Sequence, residues 1–175
     1  MEEEKKTSKP RRSEAFQDLS TLAIVLSVLI LIFVFVARIV IVSGASMEDT
    51  LHNGNAMLVW SLGYKPKQGD IVVLTQTTYQ DDSIVKRVIA TGGQTVDIDY
   101  DTGTVYVDGT ALKEDYIKER MEVPHYGEGL NHITVPEGCI FVMGDNRNNS
   151  ADSRYPAIGI VDERSVIGHV LLVLF

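Results

Sequence analysis

A single cysteine, Cys139, cannot close an intramolecular disulfide, so the fold must be held by packing whatever the redox state of its surroundings. Its neighbours Ile140, Phe141 and Val142 mark it as a core thiol rather than a redox centre or a nucleophile. Metal chemistry is equally unsupported: the chain has no HExxH motif and no cysteine pair, so neither a metal nor another cofactor is expected. Basic residues are scarce. With 16 Lys and Arg against 24 Asp and Glu the formal net charge is −8, and no basic stripe appears after residue 43, which removes the clustered cations that a nucleic-acid partner would need. Internal repeats and low-complexity tracts are also absent, and 175 residues leave room for one catalytic or binding domain.

What the chain does have is a dense apolar block near its start. Leu19 to Ala37 carries no charge, and as a helix it would span roughly 28 Å, close to a hydrocarbon core. The apolar character continues past Arg38 through Ile39, Val40, Ile41 and Val42. A cleavable signal is the competing reading, since Ser43, Gly44 and Ala45 form a small-residue processing pattern, but the run is longer than the roughly 7 to 15 residues of a signal core. A retained single-pass anchor over 19–42 is therefore expected, between a tail over 1–18 and an outer domain over 43–175. Lys5, Lys6, Lys9, Arg11 and Arg12 precede the span and Arg38 alone follows it closely, which keeps the N-terminus in the cytoplasm and puts the domain outside the cell membrane. Membrane lipid is thus one expected partner. Sequence carries no sign of an oligomeric state.

Beyond the anchor, apolar runs of four to eight residues alternate with Gly, Pro, Asn and Asp, the pattern of a mainly β domain. Strands are expected at 56–60, 70–75, 83–89, 95–98, 104–107, 139–143 and 166–172, with a tight hairpin at Asp108-Gly109. The charged stretch Lys113 to Arg120 fits either a short helix or an exposed loop.

Ser46, in Ser43-Gly44-Ala45-Ser46-Met47, is a candidate nucleophile if a base reaches it. In the strand Ser83 to Ile89, alternation puts Lys86 on one face with Ile84 and Val88, and Arg87 on the other. Apolar neighbours would desolvate the ammonium and lower its pKa, as a lysine base requires; a lysine that snorkels to the strand edge fits the same pattern. Lys65, Lys67, Lys113 and Lys118 lie in polar segments. Among the histidines, His52, His125 and His132 have no evident partner, and His169 near the end of an apolar strand suits a structural role. A dense polar stretch, Gly144 to Arg154, follows the apolar strand ending at Met143 and is either an ordered network or a solvated loop. Trp60, beside Met57 and Leu58, could rest on a membrane surface or belong to the core.

Four segments in order resemble the bacterial type I signal peptidases, and in particular their small Gram-positive forms: Ser46-Met47 with Thr50-Leu51, Gly69 to Val73, Val85 to Ile89, and Gly144-Asp145-Asn146-Arg147 with Ser150, Asp152 and Arg154. The resemblance implies a signal-peptidase-like catalytic domain of coiled sheets and a serine endopeptidase that removes signal peptides from exported preproteins after a small residue. It gives Ser46 the role of nucleophile and Lys86 that of general base. It makes Ser150 the residue that orients the Lys86 amine, and Asp145, Asp152 and Arg154 structural supports. It places the substrate as an added strand beside Ser83, Ile84 and Val85. Two positions depart from the family pattern: Asp49 stands where proline is common, and Gly44 where some members have an oxyanion-hole serine, which leaves more of that stabilisation to the Ser46 backbone N–H. An inactive membrane-anchored module that binds exported peptides is the alternative.

Overall fold

The computed structural model describes residues 11–75, 83–122 and 131–175 and divides into two units, residues 1–36 and 37–175. The first contains one helix, α1 (Arg11–Phe35). Its apolar side chains, among them Leu22, Ile30 and Phe33, are exposed along its length, and the stretch Glu14–Phe35 is long and apolar enough to cross a bilayer.

The helix stops before the apolar sequence does. Ala37–Ile41 forms a strand, β1, so the helix ends at Phe35, short of Val42, where the anchor was expected to end. The reason is a partner: Ala37 through Ile41 pairs in antiparallel register with Trp60 through Ala56, and the β-branched Ile39, Val40 and Ile41 suit a ladder.

The second unit holds two antiparallel sheets. The larger has seven strands in the order β1, β2 (Ala56–Trp60), β11 (Val166–Val173), β3 (Ile71–Leu74), β4 (Ile84–Thr91), β9 (Cys139–Met143) and β10 (Val161–Asp162). The smaller has four: β7 (Thr110–Ala111), β6 (Thr104–Val107), β5 (Thr95–Asp99) and β8 (His132–Thr134). The hairpin at Asp108-Gly109 joins β6 to β7, with both residues at positive φ as such a tight turn requires.

Three buried clusters fill the sheets. Phe141 and Met143 pack with Val96, Ile98 and Val105 of the small sheet. Val72, Leu74, Val88 and Val142 form a second cluster. In the third, Val42, Met47 and Leu51 pack with Met57, Val59 and Val73, which fixes the chain on either side of Ser46.

The strand β4 carries Lys86. It pairs with β3 along Ile84 to Arg87, whereas β9 joins it only from Arg87 onward. On the β9 side, therefore, the edge from Ile84 to Lys86 has no ladder partner among the described residues.

Candidate active site

Alternation along β4 buries Ile84, Lys86 and Val88 and leaves Val85 and Arg87 half-buried, as the sequence pattern implies. Lys86 is 3% exposed. Its Nζ donates hydrogen bonds to Ser46 Oγ at 2.7 Å and to the Val85 carbonyl at 3.0 Å. Burial pulls the amine down to about 8; the Asp152 carboxylate opposes that fall, Arg154 adds to it, and Asp145 opposes it. An amine that sheds its proton within reach of a hydroxyl can act as a general base. The snorkelling alternative is thereby excluded.

Ser46 is carried on a turn that begins just after Val42. Gly44, at positive φ, donates its N–H to Asn53 Oδ1, and Met47 and Leu51 plug the turn into the core below. From the other side comes the loop after β9. Asn146 donates from its side chain to the Ala45 carbonyl at 3.0 Å and from its backbone to the Ser46 carbonyl at 3.1 Å. Asp49 sits exposed on the same turn, and the Glu48–Asp49 peptide bond is cis.

Asp145 is fully buried and joins β4 to the turn that carries Ser46. It accepts from Arg87 Nε and Nη2 at 2.9 and 2.7 Å and from Thr50 Oγ1 at 2.5 Å. Because Arg87 adjoins Lys86 and Thr50 follows Ser46 by one turn, a single carboxylate ties the base strand to the nucleophile turn. Asp152, also fully buried, accepts from Arg154 Nε and Nη2, both at 2.8 Å, and from the Gly144 N–H at 2.9 Å. Burial would push the Asp152 carboxyl up, but the Arg154 guanidinium and these hydrogen bonds hold it below the usual range.

Ser150 is buried against Gly144, where any Cβ would collide with the Ser150 side chain and the Ser46 carbonyl. Its hydroxyl lies close enough to Asp152 to favour the carboxylate, yet it forms no hydrogen bond of ordinary geometry, and the expected bond to Lys86 is not made. Both groups keep unused capacity: Lys86 Nζ, with two bonds made, has one further position.

Ser83 is exposed at the start of β4, followed by buried Ile84 and half-buried Val85, so the expected substrate-binding residues border the unpaired edge. The histidines stay apart from the dyad: His52 is exposed beside Asn53, His132 pairs with Asp97 on the small sheet, and His169 stacks on Tyr64 with ring centroids 4.1 Å apart. His125 lies outside the described residues. No group of His, Cys, Asp and Glu among the described residues could hold a metal.

Sequence reasoning assigned no separate role to Asn146, Thr50 or Arg87, which clamp the turn and the strand. A signal existed: each adjoins or lies within a turn of a residue singled out for chemistry, inside the segments that carry the family resemblance.

Comparison with known proteins gives the family. A probable signal peptidase I-1 from Synechocystis sp. is 38% identical, covering 91% of this chain and 82% of its own. A signal peptidase I from Bacillus licheniformis is 37% identical, covering 100% and 95%. The crystal structure of a signal peptidase I from Enterococcus faecalis V583 is 35% identical, with a TM-score of 0.49, and covers 62% of this chain and 98% of its own. A family model described as signal peptidase, peptidase S26, matches residues 15–175, and on that match and those relatives the chain belongs to the signal peptidase family.

Proposed function

We propose that this protein is a membrane-anchored serine endopeptidase that removes signal peptides from exported preproteins, with Ser46 as nucleophile and Lys86 as general base. The observation that carries the reading is the 2.7 Å contact between Lys86 Nζ and Ser46 Oγ at a lysine whose pKa burial lowers to about 8.

In the reacting form the amine is neutral and the sense of that hydrogen bond reverses, so that Ser46 O–H donates to Nζ. As Oγ attacks the scissile carbonyl carbon, its proton passes to Lys86. The backbone N–H of Ser46 stabilises the oxyanion. Collapse breaks the C–N bond, and the Lys86 ammonium protonates the departing amine. Lys86 then takes a proton from water, which attacks the acyl ester, and passes it to Ser46 Oγ as the ester C–O bond breaks and the acid leaves. Ser150, whose hydroxyl has no partner, is the group suited to the remaining position on Nζ.

The substrate's extended segment adds as a strand to the open edge of β4 at Ser83, Ile84 and Val85, with small side chains next to the cut. Helix α1 is the membrane anchor, with its N-terminus in the cytoplasm and the catalytic domain on the outer face. An exposed apolar strip, including Ile39, Ile41, Leu62, Leu172 and Phe175, supports contact between the domain and lipid.

The test is cleavage of a synthetic preprotein by the detergent-solubilised wild type, Ser46→Ala and Lys86→Ala, each checked for folding by circular dichroism. Cutting by wild type alone, after a small residue, is expected. An inert wild type would point to a peptide-binding module, and cutting by folded Lys86→Ala would assign the base to another residue.

A further inference from the structure

The segment 114–118 lies in the connection between β7 and β8, in a charged stretch that in sequence fits either a short helix or an exposed loop. Its contacts say otherwise. Glu114 is nearly buried, and its two carboxylate oxygens meet Nη1 and Nη2 of Arg147 at 3.1 and 2.5 Å, where Arg147 itself has no exposed side-chain surface. Two residues on, the Tyr116 ring lies beneath the Arg87 guanidinium, 4.0 Å from its Cζ. The Tyr116 carbonyl accepts a long bond, 3.5 Å, from Thr50 Oγ1. Lys118 donates its backbone N–H to the Asp145 carbonyl at 3.1 Å and its Nζ to Glu48 at 2.8 Å.

One irregular segment thus touches all three pieces of the site: the nucleophile turn through Glu48 and Thr50, the base strand through Arg87, and the loop after β9 through Asp145 and Arg147. The placement of Tyr116 is the most informative. A ring under the flat face of a guanidinium leaves its N–H edge free, and that edge is what Arg87 presents to Asp145. Asp145 in turn holds Thr50, four residues after Ser46. A chain of contacts therefore runs from Tyr116 through Arg87, Asp145 and Thr50 to the turn that carries the nucleophile.

We infer that residues 114–118 are a positioning strap, and that Tyr116 is a positioning residue which sets the Ser46 turn against Lys86 by stacking on Arg87. The inference rests on the Ser46–Lys86 reading. Strap and dyad act on the same step: a small misplacement of Oγ from Nζ slows acylation while leaving the β4 edge, and hence peptide binding, intact.

The experiment compares full-length wild type, Tyr116→Ala, Tyr116→Phe and Lys118→Met, solubilised in detergent, on one synthetic preprotein, each assayed well below its own Tm. Tyr116→Ala is expected to lower kcat about tenfold with KM within about twofold. Tyr116→Phe, which keeps the ring face, should restore kcat to within about threefold. Lys118→Met removes a partly exposed ion pair and is expected to lower kcat a few-fold without changing KM; it tests the strap should Tyr116→Ala fail to fold. A folded Tyr116→Ala with unchanged kcat would overturn the inference, as would a Phe variant as slow as the Ala variant, or a change confined to KM. Where Tyr116→Ala does not fold, unchanged kcat in Lys118→Met would overturn it. Ser46→Ala and Lys86→Ala run alongside: if either still cuts, the dyad reading fails. If both are inert while the strap variants match wild type, the strap alone fails.

Discussion

Burying Lys86 costs the folded chain stability at neutral pH, because the unfolded chain keeps an ordinary lysine near 10.5 while the native amine titrates at about 8. At about 1.4 kcal/mol per unit the penalty is about 3 kcal/mol below pH 8, and it is relieved as pH rises from 8 to 10.5, where only the unfolded chain still binds the proton. Urea unfolding at pH 7 and pH 9.5 should show that rise in wild type and lose it in Lys86→Met, which at pH 7 should be the more stable by roughly 1 to 3 kcal/mol while being inactive. On the proposed dyad the same amine sets the pH dependence of catalysis. Because the base must be neutral, kcat/KM should climb with pH and level off above about 8. Asp152 favours the ammonium form, so Asp152→Asn should shift that midpoint downward and, by leaving Arg154 buried without its partner, cost about 3 to 5 kcal/mol in a melting experiment.

Among elements, the loop after β9 and the turn around Ser46 meet with no slack. Gly144 has no room for a side chain, so Gly144→Ala should push Ser150 and the Ser46 carbonyl apart, and its cleavage rate should fall at least tenfold even where circular dichroism stays native. Much of this architecture was legible in sequence. The strands at 56–60, 104–107 and 139–143 have the boundaries that their alternation and flanking turn residues imply, and period two put Lys86 between Ile84 and Val88, although a snorkelling lysine fits that pattern as well and only the family resemblance singled it out as a base. Other parts carried no local signal. Strand β1 hid in the anchor's hydrophobicity, since nothing before Gly44 punctuates the run, and only its pairing with β2 stops the helix. Strands β8 and β10, at three and two residues, are too short for a period to show. The buried partnership of Glu114 with Arg147 could not be read from charge alone, because a charged residue in a polar stretch looks solvated until its partner is found.

For the whole molecule the distribution of apolar surface is the feature to test. Leu172 and Phe175 on or just beyond β11, with Ile39 and Ile41 on the adjoining end of the large sheet, expose side chains that water does not favour, Phe175 being 80% and Ile41 69% accessible. Trp60, half-buried on β2 between β1 and β11, is a natural reporter. On adding phospholipid vesicles to residues 37–175, its emission should shift to shorter wavelength, and Ile41→Ser with Phe175→Ser should abolish the shift; an unchanged wild-type spectrum would exclude lipid contact. The edge at Ile84 to Lys86, without a ladder partner on the β9 side among the described residues, has a further consequence, best put in terms of information. Backbone hydrogen bonds are the same for every residue type except proline, so an edge of this kind conveys almost no message about side-chain identity. A peptide recognised there is specified by very few bits. Its sequence is free to drift across most positions, while a proline that removes one of the N–H groups paired to the edge would act as a stop signal in a text that otherwise tolerates nearly any spelling.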